Sequence, residues 1–214
     1  MAPDRARHAA LSPSIALRLH PRRTAAVMAV AAWGVLATTA LLISAIARLT
    51  PMALEPLQSH TMTGLQWTLY IGWALLNGYF EGYRGFQKGY VPRVVARAFW
   101  LGEHPRPLFV MLAPFFCSGL FHATRKRLIT SWCLLLGIIG IVQLVRLLEQ
   151  PWRGIVDAGV VVGLAYGTGY LVLHFVAVLL GRPITVTPQV PASAPDADPS
   201  LSSSSVAVPV DLRR

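Results

Sequence analysis

The polar positions of this chain are bunched, not spread. Five apolar stretches, Thr24–Ala47, Met62–Phe80, Pro107–Ala123, Leu128–Val145 and Ile155–Leu180, together hold 104 of its 214 residues. They contain one charged side chain, Asp157, while the other 27 charged residues fall in the remaining 110 positions. A charge at the centre of a bilayer costs about 2.5–3.5 kcal/mol, so such segregation marks membrane segments. Backbone groups in lipid must find partners within the chain, which predicts helices. The runs are too long and too uniformly apolar for the alternating strands of a membrane β-barrel. The expected fold is therefore an all-α integral membrane protein, a polytopic helical bundle.

The cations between the stretches predict how many of them cross. Positive residues in short loops favour the cytoplasmic side. Five spans with the N-terminus inside would put the Arg125-Lys126-Arg127 turn outside. If Pro107–Ala123 does not cross, then the N-terminal arm, the loop 81–106, the basic turn and the tail share the cytoplasmic side. Sixteen of the 19 Lys and Arg then lie there, leaving Arg48, Arg146 and Arg153 outside. Pro107–Ala123 suits that role: 17 residues of helix reach about 26 Å against a core of about 30 Å, and Pro114 interrupts it. The expectation is four spans plus a short re-entrant or fifth segment. The triplet Ala45-Ile46-Ala47 resembles a signal-peptide cleavage site, but 24 apolar residues exceed a signal peptide's core, so a retained anchor is expected.

Residues 1–23 read as a basic cytoplasmic arm, residues 24–181 as the membrane domain, and residues 182–214 as a disordered tail rich in Pro and Ser. In the loop, residues 91–101 read VPRVVARAFWL. Val91, Val94, Val95, Ala98 and Phe99 share one helical face, which predicts an amphipathic helix resting on the membrane surface.

The second stretch continues without proline to Pro92, and at 100° per residue its side chains sort into stripes. One carries Gln66, Tyr70, Trp73, Asn77, Glu81, Arg84 and Lys88. Here Asn77, Glu81 and Arg84, with an expected Glu81–Arg84 pair at the cytoplasmic edge, are candidates for a polar pathway. A second carries Gly78, Gly82, Gly85 and Gly89, and a third Tyr79, Tyr83, Phe86 and Tyr90. Small residues let helices approach closely, so the glycines are candidates for helix packing. The last stretch has a matching face, Gly159, Gly163 and Gly167 with Tyr170 and His174. His174 joins the pathway candidates as an interior ionisable group. Arg93, Arg97, Arg125, Lys126 and Arg127, beside His122, are candidates for contact with anionic lipid headgroups.

Composition agrees with this picture and removes other classes. Hydrophobic residues make up 54% and charged residues 13%, against roughly 25% charged in a soluble domain. The mean hydropathy of +0.53 excludes a disordered chain, and also a nucleic-acid-binding domain that might share the pI of 10.6. The net charge of +10 then reads as an orientation signal. Arg outnumbers Lys 17 to 2, which with abundant Ala suits a GC-rich bacterial genome; a bacterial cytoplasmic membrane is the expected location.

No catalytic or metal motif emerges. The two cysteines, Cys117 and Cys133, lie in apolar stretches and form no CxxC, and the zincin, phosphate-loop and nucleophile-elbow patterns are missing. No cofactor is expected. The leading reading is a non-catalytic accessory or assembly protein working through helix–helix contacts, with lipids and a second copy or another membrane protein as partners. A small transporter or channel using the polar stripe is the alternative. A lipid-modifying enzyme built on His122, His104 and Glu103 comes third.

Overall fold

The computed structural model describes residues 24–59 and 62–191. The expected N-terminal arm and most of the expected tail lie outside the described residues. Every regular element among those described is helical, and three helices are long and apolar enough to cross a membrane.

The first of these, α1, covers Ala25–Ser59. It runs a dozen residues beyond the apolar stretch, through Pro51 and Pro56. Proline removes one backbone donor from a helix, a loss the packing offsets here. The Pro56 ring is buried against Gly154, where an added Cβ would stand 2.3 Å from its Cγ. The helix α2, Gly64–Asn77, starts at a capping box in which Thr63 and Gln66 bond each other's backbone N–H.

From Gly78 to Tyr90 the chain winds as a π-helix and then returns to α geometry as α3, Val91–Glu103. The junction residues Asn77, Gly78, Tyr90 and Val91 all keep right-handed helical dihedrals, so 64–103 is one continuous rod. Pro92 falls in the first turn of α3, where proline fits.

The stretch 107–123 is no membrane-length helix. It forms α4, Pro107–Met111, and α5, Ala113–Cys117, broken at Leu112 and closed by a reversal at Gly119, φ +80°. Five helical residues rise only about 8 Å. The last two helices are α6, Arg125–Val145, and α7, Trp152–Leu179, joined through 146–151.

The helices alternate in direction. The end of α1 meets the start of α7 at Pro56 and Gly154. The start of α1 meets the end of α3, with a Cβ on Gly102 falling 2.5 Å from the Val27 carbonyl. Phe99 of α3 lies beside Phe175 of α7, ring centroids 6.1 Å apart. The rod 64–103 and α7 therefore run parallel, and both run against α1. The start of α6 is held near α5 by Ser131 Oγ donating to the Ser118 carbonyl, and Trp132 Nε1 to that of Leu120. Its far end leads through the short turn 146–151 to the start of α7. One end of the bundle thus gathers residue 24, α3, α4, α5, the basic turn and residues 180–191.

That end also holds the core. Ala31 and Val35 of α1, Val91, Val94, Val95, Ala98 and Leu101 of α3, Ala113 and Phe116 of α5, and Leu171 and Val178 of α7 form one buried cluster. Nine of the thirteen residues of α3 are buried, Arg97 among them although it lies away from the apolar face. The expectation of a helix laid on a lipid surface is corrected: α1, α5 and α7 enclose it. Its apolar face found protein, and its second arginine found backbone carbonyls.

Candidate functional site

The seam between the rod and α7 explains the glycines of both. Each helix inserts side chains over the other's glycines. Trp73 and Asn77 cover Gly159, Glu81 covers Gly163, and Phe86 covers Gly167. In return Val162 meets Gly78 and Tyr166 meets Gly82. Added Cβ atoms would lie 2.5 Å from the Trp73 ring at Gly159 and 2.2 Å from the Phe86 ring at Gly167. Close backbone approach replaces the hydrophobic drive that helices lack in lipid. Tyr166 extends the seam by donating its hydroxyl to Gln87.

The covering residues of the rod are 73, 77, 81 and 86, a final step of five where α periodicity has three or four. The π-helix causes it, because bonding from residue i to i+5 widens the turn. Two expectations fall with that change of phase. Arg84 is exposed and Lys88 is exposed, so neither continues the face that carries Asn77 and Glu81. Gly85 and Gly89 meet only their own helix and its side chains, at Phe80 O and Arg93 Nη2.

Among the described residues the one ion pair is Arg153 with Asp157, 3.7 Å, and Glu81 does not pair with Arg84. Asn77 donates its amide to the Trp73 carbonyl, 2.9 Å. Glu81 lies against Gly163, well inside α7 and not at its end. His174 stacks on Tyr170, ring centroids 5.7 Å apart, about 16 Å farther along the α7 axis than Gly163. The cavity that His174 lines takes in none of Asn77, Glu81 or Arg84. The four pathway candidates therefore divide into Asn77 with Glu81, Arg84 facing out, and His174 alone.

The five cations assigned to lipid headgroups also divide. Arg125 and Lys126 are exposed, Arg93 and Arg127 half-buried. Arg93 Nε donates to the Gly89 carbonyl, 2.6 Å. Arg97 is only 1% exposed, which removes it from any lipid contact. Its guanidinium donates to four backbone carbonyls: Phe116 from Nε at 2.6 Å, Pro188 from Nη1 at 2.9 Å, and Phe121 and His122 from Nη2 at 3.1 and 3.2 Å. It also lies 4.3 Å from the centre of the Phe116 ring. Burial pulls its pKa down to about 10, so it remains a cation at neutral pH. The fork of the guanidinium ties α3 to the end of α5, the reversal after it and the C-terminal segment. Thr124 adds a backbone bond to Gln189, 2.9 Å.

Around this arginine lies an aromatic cluster. Trp100 has His104 and Phe116 stacked on it at 4.7 and 5.6 Å, and His122 tilted against it at 5.7 Å. Both histidines of the third functional reading thus flank one indole. His122 is held below its usual pKa by burial and by Arg106 and Arg97, which suits a neutral packed ring. Among the described residues no three of His, Cys, Asp and Glu gather closely enough to hold a metal.

Three further close contacts had no signal in the sequence. Gly34, Gly102 and Gly154 were assigned no role, yet Gly102 and Gly154 abut backbone carbonyls of Val27 and Met52. The periodicity of α1 and the position of Gly154 at a helix start offered no partner to argue from. Comparison with protein-family models, with curated proteins and with solved structures gives no match.

Proposed function

We propose that this chain is a multi-pass integral membrane protein of non-catalytic, assembly type, with α6 as the element that meets a partner. It crosses four times, through α1, the rod from Gly64, α6 and α7. The N-terminus, α3 to α5, the basic turn and the C-terminal segment lie together at the cytoplasmic face of a bacterial inner membrane. The direction of the helices supports this arrangement, because the cation-rich segments 93–106, 125–127 and 182 gather at one end.

The observation that carries the assembly reading is the state of α6. It is anchored near its start through Ser131 and Trp132, and beyond them its side chains are exposed except for the half-buried Leu135, Val142 and Val145. Cys133, Gly137 and Gly140 lie on one stripe at spacings of four and three, all exposed, and both glycines have open space where a Cβ would go. Gly78 and Gly82 of the rod and Gly159, Gly163 and Gly167 of α7 are filled from within the chain, whereas this notch is unfilled. Small residues on a lipid-facing helix are the surface another helix uses.

Cys133 is exposed and Cys117 buried, so the protein carries its own probe. Bis-maleimide treatment of native membranes is expected to give a Cys133-dependent crosslinked species. Gly137→Leu with Gly140→Leu is expected to abolish it. A chain that stays monomeric and uncrosslinked, and that co-purifies with no membrane protein, overturns the assembly reading.

A further inference from the structure

The end of α7 carries an open surface recess of about 490 Å³ lined by Tyr170, Leu173, His174, Ala177, Leu180 and Arg182, with Leu173 and Leu180 exposed. Its lining is divided in chemistry. Leu173, Ala177 and Leu180 are aliphatic, while His174, Tyr170 and Arg182 offer hydrogen-bond donors and one fixed positive charge. No acidic residue lines it.

The backbone explains why Arg182 lies there. Gly181 adopts φ +108°, in the left-handed region open to glycine, and reverses the chain at the helix end. The Gly181 N–H bonds the Val178 carbonyl at 3.2 Å and the Arg182 N–H bonds that of Ala177 at 2.9 Å. These are the two bonds of a Schellman ending, and they fold Arg182 back over the last turns of α7. Within the cavity the His174 ring is held by stacking on Tyr170. Its Nδ1 is shielded and has no hydrogen-bond partner, so the ring has hydrogen-bonding capacity left to offer. An ordered imidazole and a guanidinium thus share one recess with three aliphatic side chains, at the cation-rich end of the bundle.

We infer that this recess is a binding site for an anionic phospholipid, with the headgroup phosphate on Arg182 and His174 and an acyl chain along Leu173, Ala177 and Leu180. Guanidinium pairs with phosphate by charge-assisted hydrogen bonds, and basic pockets at the cytoplasmic ends of helices suit such headgroups. Inorganic phosphate shares the anion chemistry but brings nothing to fill the aliphatic side. The site rests on the membrane placement proposed above, but not on α6 having a partner.

The test uses the full chain in neutral detergent micelles, titrated with dioleoyl phosphatidylglycerol, with dioleoyl phosphatidylcholine or with inorganic phosphate. Thermal unfolding and native mass spectrometry of retained lipid are the readouts. Phosphatidylglycerol is expected to raise the midpoint and to stay bound, while phosphatidylcholine does neither. Arg182→Gln is expected to raise the half-saturating mole fraction about tenfold, equivalent to about 1.4 kcal/mol, and His174→Phe to raise it by a similar factor. Arg106→Gln, which removes an exposed cation outside the cavity, is expected to leave it unchanged. Equal response of the Arg182→Gln and Arg106→Gln variants overturns the site. Full protection by inorganic phosphate alone overturns the lipid as its occupant. Either result leaves the Cys133 crosslink standing, so this failure is distinguishable from failure of the assembly reading.

Discussion

Gly154 and Pro56 are in such close register that a methyl group at position 154 would overlap the proline ring, and would stand 2.8 Å from the Met52 carbonyl oxygen. A backbone obstacle cannot rotate away as a side chain can. Gly154→Ala is therefore expected to destabilise the protein by about 1–3 kcal/mol, the usual cost of overpacking. Gly102→Ala, which meets the Val27 carbonyl at 2.5 Å, belongs in the same class. At Gly137 nothing lies within 4 Å, so alanine there removes only the helix penalty of glycine and adds stability of about 0.5–1 kcal/mol. Unfolding of the monomer in mixed micelles with a denaturing detergent, compared across the three variants, checks the order.

Arg97 offers a sharper loss. Replacing it with Met keeps much of the volume but takes its donor from the carbonyls of Pro188, Phe121 and His122, while Phe116 keeps only the Gly119 N–H. The expected cost is about 3–5 kcal/mol, since several buried acceptors lose their donor together. Lys restores the charge but not the planar fork, and is expected to recover only part of this. The C-terminal segment should also loosen, because Pro188 is one of the four acceptors. Limited proteinase K cleavage within residues 183–191 should be faster in Arg97→Met than in the parent. Unchanged cleavage would show that the tie to Pro188 holds nothing in place.

The change of phase at the π-helix makes Glu81 and Arg84 independent. Arg84→Gln removes an exposed cation with no carboxylate partner among the described residues, and should change stability by less than about 0.5 kcal/mol. Glu81→Gln keeps the shape that covers Gly163 while removing a charge pressed against a neighbouring helix, and is expected to be neutral or stabilising. A double-mutant cycle on the two should give no coupling beyond the usual scatter of about 0.3–0.5 kcal/mol for independent sites. A clear coupling would restore the ion pair that the α-helical wheel suggested.

The span pattern was legible in the sequence to within a few residues for α6 and α7, because cost of burying charge sets both ends of an apolar run. The short reach of 107–123 was legible too, through Pro114 and length. Three features were not. Pro51 and Pro56 argue for a loop, and only the fit of Pro56 to Gly154 keeps α1 helical there. No residue type announces a π-helix, so the wheel placed Arg84 beside Glu81 and missed Phe86 on Gly167. The burial of Arg97 depends on where the carbonyls of residues 116–122 and 188 come to lie, and these are distant in sequence.

The topology itself is open to a direct check. Lys126 and the residues after α7 lie at the same end of the bundle as the start of α1, with 107–123 folded back as two short helices. The four crossings proposed between residue 24 and residue 181 would return the chain to the side it left. Cysteine-free protein carrying single cysteines at Lys126 and at Arg182 should therefore resist impermeant thiol reagents in intact cells and react in inverted vesicles. A cysteine at Arg48, exposed near the opposite end, should do the reverse. External labelling at both Lys126 and Arg182 would require 107–123 to cross, and the stack of α4 and α5 at Leu112 would then have to straighten into one helix through Pro114, against the loss of its backbone donor.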